Sequence, residues 1–150
     1  MTGQQTIGEL GVPLARLRQI VTSVTLVNNT AKTIDTTVPT GKKWRLLNIK
    51  ATNPDDADRN IQAKIWKEAA KTNCLAFLGL AGVSASLAET FHVPNHFMDA
   101  TNMKYLNRKD FFLDEGNTIE VVWATGGAST GATDADGLII EVLEIGVNAP

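Results

Sequence analysis

Residues 118–125 have the sequence TIEVVWAT, which gives the clearest strand signal in the chain. The β-branched and aromatic residues that dominate this segment favour the pleated strand. Turn residues precede it at 114–117 (DEGN), and a loop of small residues follows at 126–136. Residues 137–145 (GLIIEVLEI) then predict a second long strand. We expect these two strands to form an antiparallel pair.

Similar strand patterns continue upstream to residue 20, with polar turns between them. In residues 43–52, for example, Trp44, Leu46 and Asn48 alternate with Arg45, Leu47 and Ile49. The predicted upstream strands are 20–28, 32–38, 43–52, 60–69, 72–78 and 87–93, and 111–113 adds a short one.

The segments between these strands are predicted as loops, with two ambiguities. Residues 53–58 (NPDDAD) indicate an exposed polar loop, and residues 79–85 a loop of small side chains. Residues 66–71 contain good helix formers, so a short helix is the alternative to a strand that ends in a turn. Residues 95–106 suggest an irregular excursion with one short strand. About eight strands with polar turns predict an all-β, jelly-roll-like antiparallel sandwich or barrel.

The first 19 residues differ from the rest of the chain. Two glycines and Pro13 interrupt residues 6–19 (TIGELGVPLARLRQ), so a long helix is not expected. Either these residues are a frayed terminus, or they form an extended arm that docks on a neighbouring subunit. We divide the chain into an arm, 1–19, and one sandwich domain, 20–150. The apolar residues proposed to anchor the arm are Ile7, Leu10, Val12, Leu14 and Leu17.

Composition excludes several classes of protein. The formal net charge is −2 and the pI is about 5.6, unlike the basic surface with which a nucleic-acid binder neutralises phosphates. No run of roughly 18 apolar residues is present, so we predict no membrane partner. The first residues lack the pattern of a secretory signal. The single cysteine, Cys74, cannot form an intrachain disulfide, which fits synthesis in a reducing cytosol.

The sequence contains no arrangement typical of catalysis. His92 and His96 are four residues apart, but Pro94 between them disfavours the helical turn that would bring them to one metal. Two surface histidines are the favoured interpretation. The acidic groups at 55–58 and 134–136 lack a full calcium-loop pattern, so we interpret them as solvated turns. Glutamates near the last strands favour an exposed sheet face over a glycosidase pair. We therefore predict no catalytic residue, no metal and no cofactor.

Two segments resemble a known family. Residues 38–47 (VPTGKKWRLL) enter a strand through a Val-Pro-x-Gly-Lys-x-Trp motif. Residues 111–121 (FFLDEGNTIEV) precede the small-residue loop and the Gly-Leu-x-x-x-Val-x-Glu-Ile finish of 137–145. This arrangement is similar to small jelly-roll structural proteins of tailed bacteriophages, among them capsid decoration (cement) proteins. The resemblance covers about residues 38–145, of which 53–103 match only in general character.

The resemblance implies a virion component that is made in the host bacterial cytoplasm and binds the capsid exterior, often as homotrimers. Its partners would be the major capsid protein and other copies of itself. Aromatic residues are enriched at binding hot spots. We therefore name Trp66, Phe97 and Tyr105 as candidate interface residues, with core packing as the competing account, and assign Trp44 and Trp123 to the core.

Two other functions are open at this point. A receptor- or glycan-binding head-fibre or tail module of the same fold would use the loops at 53–58 and 126–136, since sandwich loops commonly carry recognition. A cupin-like metalloenzyme would use His92, His96 and nearby carboxylates, although the usual cupin ligand set is not visible in the sequence.

Overall fold

The computed structural model describes residues 15–92, 97–99, 104–106, 112–126 and 130–146. This part of the chain contains strands, turns and loops, and it has no helix that is long and apolar enough to cross a membrane. The strands are β1 (Ala15–Val27), β2 (Lys32–Thr37), β3 (Lys42–Thr52), β4 (Arg59–Trp66), β5 (Cys74–Val83), β6 (Ala88–His92), β7 (Phe97–Asp99), β8 (Lys104–Leu106), β9 (Phe112–Leu113), β10 (Thr118–Trp123) and β11 (Thr130–Gly146).

The strands form two antiparallel sheets that pack as a sandwich. The five-stranded sheet has the order β1-β11-β3-β6, with the short β9 also paired to β3. The six-stranded sheet has the order β2-β10-β4-β5-β7-β8. The predicted all-β sandwich is therefore confirmed. The strands beyond the expected eight are short ones, chiefly β7 and β8, which lie in the region predicted to hold one strand.

Most connections carry the chain from one sheet to the other. Within the described part, only β4–β5 and β7–β8 are consecutive strands of the same sheet. The prediction that β10 and β11 pair with each other is wrong, because β10 lies between β2 and β4, and β11 between β1 and β3. Each of the two strands is apolar because it lies between other strands of its own sheet and faces the core. The two sheets lie on opposite sides of that core.

The core lies between the two sheets and is built by alternate residues of each strand. In β4 the side chains of Ile61, Ala63 and Ile65 are completely buried. The helix considered for residues 66–71 does not form, since β4 ends at Trp66 and a turn follows. Trp44 and Trp123 are buried, as predicted, and each indole N–H has an acceptor: Glu144 Oε2 at 2.9 Å and the Thr52 carbonyl oxygen at 2.9 Å.

A β-bulge in β3 changes the predicted alternation. Leu46 pairs with Val142 and Asn48 pairs with Glu141, so Leu47 is an extra residue between adjacent partners on β11. The side chains after the bulge change faces, and Ile49 joins Trp44 and Leu46 in the core. Simple alternation, which placed Ile49 opposite Trp44, is wrong beyond Leu46 because a one-residue insertion shifts a period of two.

Two predicted small-residue loops belong largely to strands. β5 continues through Val83, although residues 79–85 were predicted as a loop, and β11 begins at Thr130 within the predicted loop 126–136. Strands pair through backbone N–H and C=O groups, which residues with small side chains supply as well as any others. The small side chains of these two segments therefore gave no sign that they form strands. Residues 95–106 contain β7 and β8 as a short antiparallel pair.

The first strand begins inside the segment assigned to the arm. β1 starts at Ala15, and residues Ala15 to Gln19 pair with Ile145 to Glu141 of β11. Four of the five proposed arm anchors, Ile7, Leu10, Val12 and Leu14, lie outside the described residues. Leu17, the fifth, lies in β1 with 63% of its surface exposed.

Gly137 occupies a position where any side chain would collide with the core. A Cβ atom there would lie 2.6 Å from Val24 Cβ and 3.1 Å from the Asp134 carbonyl oxygen. We expect Gly137→Ala to lower the free energy of unfolding by about 1–3 kcal/mol, the usual range for overpacking. Gly126→Ala is the matched control, because its Cβ would make ordinary contacts, 3.4 Å and longer. Urea unfolding checks both variants, and equal stability of the two would contradict the packing at Gly137.

Candidate interaction surfaces

The two segments that carry the family resemblance meet at one corner of the sandwich. There the β2–β3 and β9–β10 connections cross between the sheets side by side. Val38 N–H donates to the Asn117 carbonyl oxygen (2.9 Å), and Gly116 N–H donates to the Val38 carbonyl oxygen (3.0 Å). Gly41 and Gly116 adopt positive φ angles of 74° and 83°, which glycine allows at no steric cost. Both motifs therefore contain glycine in the turn because the backbone there adopts a positive φ angle.

A buried carboxylate ties β1 to this end of the sandwich. Glu144 is 3% exposed, and its Oε2 accepts hydrogen bonds from Trp44 Nε1 (2.9 Å) and from Arg18 (2.7 Å). Its Oε1 accepts from Arg16 at 3.1 Å. Burial raises the pKa of Glu144, but the hydrogen bonds from Trp44, Arg18 and Arg16 outweigh it, so the pKa lies below its ordinary value.

This lowered pKa predicts a loss of stability in acid. A carboxyl group whose pKa is lower in the folded than in the unfolded state stabilises the fold above its unfolded pKa. That contribution disappears as the pH falls from about 5 through the folded pKa. We expect wild-type stability to fall more steeply below about pH 5 than that of Glu144→Gln. Urea unfolding at several pH values measures both slopes, and parallel curves would show that Glu144 does not titrate as described.

The outward face of the five-stranded sheet carries an apolar patch on β1 and β11. Leu17 pairs with Leu143 and Val21 with Ile139, and paired residues share a face. Ile145 pairs with Ala15 one row further along. Leu17 is 63% exposed and Val21 49%, while the three β11 residues are half-buried. We call Leu17, Val21, Ile139, Leu143 and Ile145 the outer strip.

One polar row crosses the outer strip, and basic residues border it. Glu141 lies between Gln19 and Asn48, whose amide groups donate to its two carboxylate oxygens at 3.0 and 3.2 Å. This row therefore presents a carboxylate that is already hydrogen-bonded on both sides. The neighbouring strand β3 places Lys43, Arg45 and Lys50 opposite Ile145, Leu143 and Ile139.

The outward face of the six-stranded sheet is more polar and internally bonded. Lys71 Nζ lies 2.6 Å from Glu120 Oε2 and 2.9 Å from Asp35 Oδ2. Trp66 Nε1 donates to Glu120 Oε1 at 3.2 Å, and Lys64 Nζ lies 5.6 Å from the centroid of the Trp66 ring. Burial lowers the pKa of Lys71, but the carboxylates of Glu120 and Asp35 raise it by a larger amount. The pKa of Lys71 therefore lies above its ordinary value. Both carboxylate oxygens of Glu120 are therefore engaged within this face.

The predicted interface aromatics fall on this six-stranded sheet. Trp66 is half-buried at the end of β4, with its indole N–H and its ring in the contacts above. Phe97 pairs with Leu106, and Tyr105 pairs with Met98, which itself pairs with Phe77 of β5. The structure thus brings all three residues to one sheet, without testing their role in an interface.

The outer strip was not identified from the sequence, although a signal for it exists. Residues 138–145 are apolar at both odd and even positions, which is typical of a strand that is covered on both faces. The strand prediction for residues 137–145 includes Ile139, Leu143 and Ile145 but does not separate the two faces of the strand.

In the acidic loop 53–58, Asp56 and Asp58 are exposed, as predicted for a solvated turn, whereas the same prediction is wrong for Asp55. Asn53 and Asp55 are completely buried, and Arg59 is 2% exposed. Arg59 Nε donates to Asp55 Oδ2 at 2.5 Å. The arginine that neutralises this loop follows it directly in sequence, so the loop can enter the core. The polar groups of Asn53 and Asp55 are therefore already engaged within the protein.

The other candidate site residues do not form a metal-binding group within the part of the chain that the structure describes. No group of three or more His, Cys, Asp or Glu side chains with metal-binding geometry occurs within the described ranges. His92 ends β6, and His96 lies outside the described residues. Asp134 and Asp136 belong to β11, where Asp134 Oδ1 accepts from Asp136 N–H at 2.9 Å. Cys74 is half-buried, with its Sγ 3.6 Å from the carbonyl oxygens of Ile65 and Ala76.

Comparisons with known proteins give only distant similarity. No family model and no curated protein matches this chain. Chains from structures of infectious bursal disease virus are similar to it at 10% identity, with TM-scores of 0.34 (Gx strain) and 0.35 (Gt strain). Both alignments cover 91% of this chain and 33% of the viral chain. The insecticidal delta-endotoxin Cry8Ea1 of Bacillus thuringiensis is similar at 12% identity with a TM-score of 0.25, over 96% of this chain and 21% of the toxin.

This chain therefore spans a third or less of the length of those proteins. Two of these three similar chains come from a virus. At these TM-scores, the similarity does not establish membership of a family.

Proposed function

We propose that this protein is a virion structural protein that decorates the outside of a tailed-phage icosahedral capsid. It stabilises the shell by bridging neighbouring subunits of the major capsid protein, and it does so as a trimer. Symmetry repeats each weak contact many times over the shell, and this avidity removes the need for a large individual interface.

The observation that carries the proposal is the corner formed by the two family-like segments. Residues 38–47 and 111–121 are far apart in sequence, yet Val38 bonds to both Gly116 and Asn117 there. Trp44 pairs with Leu113 within the same corner, and Lys43 Nζ lies 3.3 Å from Asp114 Oδ1. The motifs that resemble decoration proteins are thus one connected unit of the sandwich.

The distribution of exposed apolar side chains also supports assembly. Leu17 and Val21 lie in the same strand and on the same face, beside half-buried residues of β11. Exposed apolar patches commonly mark protein–protein contacts. In the loop 53–58, one of the two proposed for receptor recognition, Asn53 and Asp55 bond the adjacent backbone and Arg59, so we favour the decoration role.

A cosedimentation assay with capsids of the encoding virus tests this function. Purified chain is added to expanded capsids that lack it, and the pelleted amount and the temperature of DNA release are measured. We expect saturation at a fixed number of copies per capsid and a higher release temperature. A chain lacking residues 1–14 should bind at least about tenfold more weakly, equivalent to about 1.4 kcal/mol.

Two results would contradict the proposal. Absence of the full chain from the capsid pellet would exclude decoration of that shell. Saturable binding without any rise in the release temperature would exclude a stabilising role.

A further inference from the structure

We infer that the outer strip is the docking site for residues 1–14 of a second copy of this chain. This inference deepens the assembly part of the proposed function and does not depend on the capsid, because it concerns contacts between identical subunits.

The composition of β11 indicates that its outer face becomes covered. Its inward residues Leu138, Ile140 and Val142 are buried in the core. The outward residues Ile139, Leu143 and Ile145 are equally apolar and only half-buried, and they lie beside the exposed Leu17 and Val21. Antiparallel strands with one solvated face normally alternate apolar and polar residues. The departure from alternation in β11 is therefore typical of a strand whose outer face becomes covered.

The position and length of the preceding chain also favour this docking. Fourteen residues precede Ala15, which pairs with Ile145 at one end of the strip. An extended segment of 14 residues spans up to about 46 Å, at about 3.3 Å per residue. The strip from the Ala15 row to the Val21 row is about 20 Å long at the same rise. The segment is thus long enough to leave one molecule and cover the strip of the next.

Residues 1–14 and the outer strip are also chemically complementary. Residues 1–14 contain the apolar side chains Ile7, Leu10, Val12 and Leu14 and a single charged side chain, Glu9. The strip offers apolar contacts, and the basic residues Lys50, Arg45 and Lys43 border it along β3, of which Lys43 also lies 3.3 Å from Asp114 Oδ1. An apolar segment with one carboxylate matches both properties.

The direction of β1 favours a second copy over the chain's own strip. The strip extends from Ala15 in the forward direction of β1, whereas the preceding residues join β1 at its start. Covering its own strip would require the chain to reverse direction within the few residues before Ala15. Donation to a neighbour requires no reversal. Such a contact joins two different surfaces, so repetition forms a closed ring when the rotation between subunits permits it, as in a trimer.

Paired valine substitutions on β1 provide the test. Val21 (49% exposed) lies in the strip, and Val27 (52% exposed) lies on the same strand outside it. Solution mass is measured by light scattering for the full chain, Val21→Lys, Val27→Lys and a chain lacking residues 1–14. We expect about 48 kDa, three times the 16.1 kDa chain mass, for the full chain and for Val27→Lys. Val21→Lys and the truncated chain should be monomers.

Mixing the two monomeric variants separates docking from misfolding. Val21→Lys retains the donor segment, and the truncated chain retains an intact strip. Together they should form a one-to-one complex, detected by light scattering of the mixture at high concentration.

Several results would overturn the inference. These are a monomeric full chain, an oligomer that survives the truncation, equal disruption by Val21→Lys and Val27→Lys, or no complex in the mixture. All of these can be observed without capsids, so they are distinguishable from failure of the decoration proposal.

Discussion

Arg59→Met is expected to lower the free energy of unfolding by about 3–5 kcal/mol, the usual consequence of removing one partner of a buried ion pair. Arg59 uses Nε to bind Asp55, and it donates from its other nitrogens to three backbone carbonyl oxygens. These belong to Val27 (2.7 Å), Thr30 (2.8 Å) and Ala124 (3.0 Å). One side chain thus connects the β1–β2 turn, the residue after β10 and the loop 53–58.

The charge left on Asp55 is the main reason for this large effect. Burial raises the pKa of Asp55, but the hydrogen bond and charge of Arg59, with further hydrogen bonds from Asp56, bring it below its ordinary value. Methionine has a similar length but donates nothing, so the carboxylate stays buried without its partner. Asp55→Asn in the Arg59→Met background removes the stranded charge and should recover part of the loss.

Urea unfolding at neutral pH measures these changes, with Lys67→Met as the control at an exposed turn position away from the outer strip. Lys67→Met should lie within about 0.5 kcal/mol of wild type. A loss below about 1 kcal/mol for Arg59→Met would show that the buried network contributes little to stability. Failure of Arg59→Met to fold would agree with the prediction if Arg59→Met/Asp55→Asn then folds.

The sequence predicts the main features of this fold because alternation is explicit in the strands that form its centre. Residues 60–65 follow a period of two without interruption, residues 118–123 are dense in β-branched and aromatic side chains, and both became central strands. The failures occur where backbone pairing overrides side-chain pattern. Leu47 inserts one residue into β3, and the small residues of β5 and β11 pair through backbone groups that carry no sequence signal.

The buried polar groups and the surface are less evident in the sequence. Asp55 and Glu144 resemble exposed acidic residues until their partners Arg59, Arg16 and Arg18 are seen in three dimensions. For Glu144 those partners are more than 120 residues away in sequence. The outer strip requires the pairing of β1 with β11, which local patterns do not determine.

Removing residues 1–19 is expected to destabilise the sandwich, whereas removing residues 1–14 is not. The longer deletion removes the first five residues of β1 and their pairing with Glu141 to Ile145. It also removes Arg16 and Arg18, which donate hydrogen bonds to Glu144. The buried carboxylate of Glu144 then keeps the hydrogen bond from Trp44 but loses both positive charges. We expect the 1–19 deletion to lose about 3–5 kcal/mol relative to the 1–14 deletion.

The comparison uses the two truncated chains, because loss of oligomer contacts alone would change apparent stability by mass action. Arg16→Gln/Arg18→Gln in the 1–14 deletion keeps the strand and removes the charges, so it separates the ion pairs from the strand pairing. Urea unfolding of the three chains at one protein concentration gives both contributions. Equal stability of the 1–14 and 1–19 deletions would place the domain boundary at residue 20, as sequence analysis did. If instead the longer deletion unfolds, its failure to bind a capsid would report loss of the fold, and only the 1–14 deletion can assign the binding role to the arm.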